Sequence, residues 1–121
     1  MEVRRLCWLG VRAEAYEPML AFLRDVLGLR VEFEEETTAE LSLPRGDRVQ
    51  VFGPGDRYFD FFGEQATGPV ALFEVDDVRR ARDEISSAGI ELVGGIERDR
   101  QWEWVHVRAP DGNLYELASR H

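Results

Sequence analysis

The sequence predicts an α+β fold: two βαβββ modules that form a curved eight-stranded mixed sheet with helices on the convex face. Three observations predict it. Two amphipathic stretches at helical spacing each end at a glycine, Gly28 and Gly89. Each has an alternating apolar stretch before it and three more after it. The residues after the two glycines also correspond, Leu29-Arg30-Val31 with Ile90-Glu91-Leu92. This is an internal duplication. One such unit buries a single sheet face under its helix and leaves the other open. Two units side by side would leave a cleft on the concave side.

The elements follow in order. Leu6 to Arg12 reads as a strand, with Cys7, Leu9 and Val11 on one face and Trp8, Gly10 and Arg12 on the other. The first helix is expected over about residues 15–27. Tyr16, Leu20, Leu23 and Leu27 form its stripe, with Met19 and Val26 beside it. Pro18 is tolerated in the first turn, and Gly28 ends the helix. Leu29 to Glu34, Thr38 to Leu43 and Arg48 to Phe52 read as strands, with Pro44-Arg45-Gly46-Asp47 as a turn. Gly53 to Gly68 is the joint between modules, placed at about 1–65 and 68–121. It carries Tyr58, Phe59, Phe61 and Phe62, too many aromatics for a flexible linker. These are expected to pack as an edge strand or at a subunit contact.

In the second module Val70 to Val75 reads as a strand. Asp76 or Asp77 caps a helix over about 77–88, with Val78, Ala81, Ile85 and Ala88 as its stripe. Ile90 to Val93 is a strand, Gly94-Gly95 a break, and Gln101 to Arg108 and Leu114 to Ala118 the last two strands. Pro110-Asp111-Gly112-Asn113 between them is a turn: proline presets φ, glycine accepts positive φ, and Asp and Asn bond nearby backbone. Glu116 is the unusual residue, a carboxylate in the last strand of an apolar sheet.

Composition narrows the function classes. The chain has 121 residues, the length of one domain, and is 44% hydrophobic. Its formal charge is −9, with a pI near 4.7, which argues against nucleic acid and anionic membranes as partners. No run has the length of a membrane span, and no signal-peptide core is visible. The single cysteine, Cys7, allows no intrachain disulfide and reads as a small core residue, so a cytoplasmic location is expected. No Ser/His/Asp or Cys/His arrangement is visible. Gly53-Pro54-Gly55 lacks the helix and lysine of a phosphate loop.

Three stretches together resemble the vicinal oxygen chelate superfamily of glyoxalase I, bleomycin-resistance proteins, fosfomycin-resistance proteins and extradiol dioxygenases. They are Ala21-Phe22-Leu23-Arg24-Asp25-Val26-Leu27-Gly28-Leu29, Phe73-Glu74-Val75-Asp76-Asp77-Val78, and Ala109-Pro110-Asp111-Gly112-Asn113-Leu114-Tyr115-Glu116-Leu117. The resemblance covers nearly the whole chain. It implies the fold more than an activity, because this fold hosts several chemistries and also pure binding. It also implies where a metal would sit: up to four ligands, usually His, Glu or Gln, from the first and last strands of each module. Those positions fall on Trp8, Gln50, Val70 and Glu116. Trp8 and Val70 cannot ligate, and Gln50 is a weak oxygen donor. Gln50 and Glu116 are therefore the only metal candidates, too few for a first-row ion. No cofactor is expected; a divalent metal is the alternative.

The cleft is expected to be lined by Trp8, Arg12, Gln50, Phe52, Trp102, Trp104, His106, Arg108 and Glu116 as ligand-binding residues. Each has an ordinary reading as well. Glu116 can serve as the partner of Arg108 or Arg12. His106 reads as a polar residue on a solvated strand face, with a catalytic base as the minor reading. Trp102 and Trp104 share a face, as a subunit interface or as a stacking platform. Arg98-Asp99-Arg100 and Glu34-Glu35-Glu36 read as solvated charges. The favoured function is a metal-free protein that binds a planar aromatic, cationic small molecule, as a homodimer. The alternative is a metal-dependent lyase, isomerase or dioxygenase of the glyoxalase I type. A third class is a structural module whose cleft is filled by its own side chains.

Overall fold

The computed structural model describes residues 1–121. Its strands are β1 (Val3–Arg12), β2 (Arg30–Glu34), β3 (Thr38–Ser42), β4 (Arg48–Phe52), β5 (Val70–Val75), β6 (Glu91–Arg98), β7 (Trp102–Arg108) and β8 (Leu114–Arg120). Its helices are α1 (Tyr16–Ala21), which continues as a π-helical turn over Phe22–Val26, α2 (Arg57–Gln65) and α3 (Val78–Ser87). The hydrogen-bonded strand order is β2-β3-β4-β1-β5-β8-β7-β6. The β1–β4 and β5–β8 pairs are parallel, and β2–β3, β3–β4, β6–β7 and β7–β8 are antiparallel. The α+β class and the mixed eight-stranded sheet are as the duplication predicts. No helix is long and apolar enough to cross a membrane.

The chain forms two compact units, Trp8–Pro69 and Met1–Cys7 with Val70–His121. In the first, Tyr16, Leu20 and Leu23 of the first helix pack on Ala39, Leu41 and Val51. The expected stripe holds up to Leu23 and then fails. Leu27 is 53% exposed and Val26 73%. The cause is the π turn, in which the Leu27 amide donates to the Phe22 carbonyl at 2.9 Å. One extra residue in that turn rotates Leu27 off the face that Tyr16, Leu20 and Leu23 share. Gly28 then takes φ of +73°, as a helix-ending glycine should.

The joint is neither an edge strand nor a linker. Asp56 accepts a hydrogen bond from the Tyr58 amide at 2.8 Å and starts α2. Phe59 and Phe62 are buried, and Phe62 meets Phe52 of β4 edge-on at 5.5 Å between centroids. Tyr58 joins the same cluster, 5.5 Å from Phe52. The aromatics that suggested a subunit contact thus find much of their burial inside this unit.

In the second unit Val75, Val78, Ala81, Val105, Val107 and Leu117 make the core between α3 and the sheet. Of the two candidate caps it is Asp77 that caps α3, accepting from the Arg79 and Arg80 amides. Strand β6 runs through Gly94-Gly95 instead of breaking there. Its pairing with β7 slips between Val93 and Glu97, and Gly94 takes φ of +79°. Glu103 of β7 is buried and receives the Arg79 guanidinium of α3 at 2.8 Å. That hydrogen bond holds the Glu103 carboxyl below its ordinary range. A carboxylate whose pKa is lowered on folding stabilises the protein above the unfolded-chain value of about 4.3. The contribution disappears as pH falls through the folded value. Glu103→Gln is expected to lower the thermal midpoint near neutral pH by a few degrees. The gap to wild type should narrow as pH falls below the unfolded-chain value and on through the lower folded one, and thermal scans across that range check it.

Candidate functional site

Strand alternation places the candidate residues. In the unit built on β5 to β8, Val105, Val107 and Leu117 face α3. Trp102, Trp104, His106 and Arg108 therefore share the opposite face. The ladder pairs Trp104 with Ala118, His106 with Glu116 and Arg108 with Leu114. Glu116 also sits beside Leu72 of β5.

The centre of this face is a buried pair. His106 Nε2 lies 2.9 Å from Glu116 Oε2, with His106 1% exposed and Glu116 5%. His106 Nδ1 lies 3.5 Å from Glu97 Oε2. The slip in β6 brings Glu97 opposite Trp104 and within reach of the imidazole. Two ordinary readings are corrected here. His106 is not on a solvated face. Glu116 is paired with neither arginine: Arg108 meets Glu91 and the Gly112 carbonyl, both at 3.2 Å, and Arg12 meets the Phe59 carbonyl. Carboxylates beside the two ring nitrogens can fix the imidazole's orientation.

The two tryptophans of β7 differ. The Arg120 guanidinium covers the Trp102 ring at 4.5 Å. Trp104 is half-buried, and no side chain of the protein hydrogen-bonds or stacks on its indole. Glu74 lies on the same side of β5 and is held by Arg5 at 2.9 Å.

In the unit of β1 to β4, Trp8, Gly10 and Arg12 pair with Arg48, Gln50 and Phe52. The Trp8 indole lies over Gly10, where an added Cβ would come within 2.3 Å of the ring. Its N–H donates to Gln50 Oε1 at 3.3 Å, and Gln50 Nε2 donates to Thr38 Oγ1 at 3.0 Å. Beside them Glu40 pairs with Arg48 at 2.9 Å. Burial pushes the Glu40 carboxyl above its ordinary value, against the pull of Arg48. Phe52, expected in the cleft, is only 3% exposed and packs beneath the α2 aromatics as part of the core.

The structure thus groups Trp104, His106, Arg108 and Glu116 on one face, with Trp102 capped at its edge. It groups Trp8 and Gln50 on another face, and gives Arg12 and Phe52 to α2. The sequence reading missed Glu97, Glu40 and Thr38. Alternation along β3 could have found Thr38 and Glu40, which are out of phase with buried Ala39 and Leu41. Nothing in the sequence placed Glu97, because its position depends on the slip after Gly94-Gly95.

The donors at the four family positions do not fit a metal. Trp8 and Val70 offer no lone pair. The Gln50 amide oxygen faces an indole N–H, and the Glu116 carboxylate faces His106. No three His, Cys, Asp or Glu side chains are grouped to hold an ion.

Comparison with known proteins agrees with the fold. The family model of the Glyoxalase/Bleomycin resistance protein/Dioxygenase superfamily matches residues 5–117. The chain belongs to that superfamily. No curated protein sequence matches it significantly. Among solved structures it is similar to a glyoxalase/bleomycin resistance protein/dioxygenase superfamily member from Vibrio splendidus 12B01. That match has a TM-score of 0.70 and 20% identity, over 95% of this chain and 97% of the other. It is also similar to methylmalonyl-CoA epimerase from Mycobacterium tuberculosis, with a TM-score of 0.76 and 21% identity over 98% and 89%. A third is the Mn(II)-bound glyoxalase from Novosphingobium aromaticivorans, with a TM-score of 0.66 and 20% identity over 98% and 38%. At these identities the likeness is one of fold.

The close fit of Trp8 on Gly10 gives a direct test. Gly10→Ala must displace the indole, since its methyl would overlap two ring carbons, at 2.3 and 2.8 Å. The expected loss is about 1–3 kcal/mol, the usual cost of overpacking. Denaturant unfolding measures it, and a shifted tryptophan emission maximum in the folded state reports the moved ring.

Proposed function

We propose that this protein binds a small planar cation without a metal ion, on the face that carries Trp104, Glu97, His106 and Glu116. The observation that supports this is the contrast within β7. Trp102 already has a guanidinium against its ring, whereas Trp104 has none. An indole face attracts cations through its quadrupole and flat rings through stacking. Glu97 and Glu116 flank His106 on the same face and favour positive charge nearby. The net charge of −9 adds a field of the same sign.

On this reading the His106–Glu116 pair is the floor of the site. It fixes the carboxylate's direction, and Glu97 is the acceptor for a ligand's N–H. The reading carries no covalent step. Glyoxalase-type metal chemistry is the alternative, and elemental analysis of protein purified without chelator separates the two. Stoichiometric manganese, iron, nickel or zinc would overturn the metal-free reading.

Benzamidine is a suitable probe, a flat ring with a cationic group. It should quench part of the tryptophan emission in a saturable way. Trp104→Ala is expected to weaken binding about fivefold, the equivalent of about 1 kcal/mol from one stacked ring. Trp102→Ala should matter less. Quenching unchanged by Trp104→Ala, or equal quenching by Trp102→Ala alone, would refute the assignment.

A further inference from the structure

A second site lies in the other unit and is independent of the Trp104 face. A cavity of about 270 Å³ opens between the end of β1 and the end of α2. Its walls include Gly10, Arg12, Phe62, Gly63, Ala66 and Pro69. Arg12 is the only charged residue among those that line it. A chain with a net charge of −9 therefore has here a cavity whose single formal charge is positive.

The guanidinium is held in place. Arg12 Nε–H donates to the Phe59 carbonyl at 2.8 Å, and its Cζ lies 3.7 Å over the Phe59 ring. One turn further along α2, Gly63 also lies against it. A Cβ there would stand 2.7 Å from Nε and 3.1 Å from Cζ and Nη2, so only glycine lets the guanidinium lie where it does. Fixing Nε leaves the terminal fork, Nη1 and Nη2, without a hydrogen-bond acceptor. Glu14 comes only to 3.9 Å of Nη1, on a side chain that is 81% exposed.

We propose that this cavity binds a small monocarboxylate through the Nη1/Nη2 fork of Arg12. A planar fork matches the two oxygens of a carboxylate, and such paired charge-assisted hydrogen bonds are directional. The guanidinium is already ordered by Phe59 and Gly63, so binding loses little side-chain freedom. The rest of the wall favours the same ligand. Phe62, Ala66 and Pro69 are apolar, which suits a short aliphatic tail, and no second cation is present to balance a phosphate dianion.

The test is an amide chemical-shift titration of the whole chain, labelled with nitrogen-15, at about 0.15 M ionic strength, where surface charge is screened. The probes are isobutyrate, inorganic phosphate and isobutylammonium. Isobutyrate is expected to give saturable shifts at the amides of Gly10, Gly63 and Gly68. Isobutylammonium should give none, and phosphate only weak, non-saturating ones. Arg12→Lys keeps the charge but loses the fork, and should weaken isobutyrate about tenfold. Gly63→Ala displaces the guanidinium and should weaken it several-fold while the spectrum stays dispersed. Saturation by phosphate instead of isobutyrate would overturn the proposal. So would isobutyrate shifts left unchanged by both variants, or no saturation by isobutyrate at tens of millimolar.

Discussion

The register of β7 against β8 is the constraint on which the Trp104 face depends. It is set by the turn that joins them. Asp111 accepts from the Asn113 amide and from the Tyr115 hydroxyl, Gly112 takes φ of +86°, and Ala109 and Asn113 close the loop with a 3.0 Å backbone bond. Counting outward from that closure, Arg108 meets Leu114 and His106 meets Glu116. A slip of one residue would send His106 into the valines under α3 and put Val105 or Val107 against the carboxylate. The hydrogen bond between His106 and Glu116 adds a penalty for such a slip. A buried carboxylate that loses its partner bears its full desolvation cost. Turn chemistry and the buried pair therefore enforce the same register.

The other unit solves a different problem. Its sheet has α1 on one face, and its second face begins at Trp8 and ends at Phe52. Helix α2 comes back over the Phe52 end. Phe62 and Tyr58 cover Phe52, and Arg12 ties the Phe59 carbonyl to the end of β1. Two glycines make the fit possible. Gly63 admits the guanidinium, and Gly53 lies so close to Tyr16 that an added Cβ would stand 2.6 Å from the tyrosine Cβ. Glycines that look like linker composition are here places where a side chain cannot fit. This is why the stretch from Gly53 to Gly68 was misread. Its aromatic positions have helical spacing, with Asp56 in the cap position, but five glycines and prolines around them suppress the helical signal.

Most of the fold was legible because it rests on local patterns. The bounds of β4 and β5 match the alternation read from the sequence, and α3 is short by one residue at each end. The failures lie where an inserted residue shifts the phase. At Phe22–Val26 the π turn moves Leu27 away from the core. In β6 the slip at Gly94-Gly95 keeps the strand intact and re-aims Glu97. Both are single-residue changes of register, which a periodic pattern averages over. The consequence for the site is uneven. His106 and Glu116 could be paired by counting from the turn, whereas Glu97 could not be placed at all.

The three tryptophans show why residue type and face do not suffice to define a site. All three alternate with helix-facing residues, and the sequence gives no reason to rank them. The structure separates them by what each indole already touches. Trp8 lies against Gly10 and donates to Gln50, so its ring and its N–H are both engaged. Trp102 has Arg120 against its ring, and a ligand cation would have to displace a covalently attached one. Trp104 has neither restraint and stands opposite Glu97, beside the buried imidazole. An aromatic side chain contributes binding free energy only where the protein has not already satisfied it. By that criterion the proposals rest on Trp104 in β7 and on the Nη1/Nη2 fork of Arg12 in β1.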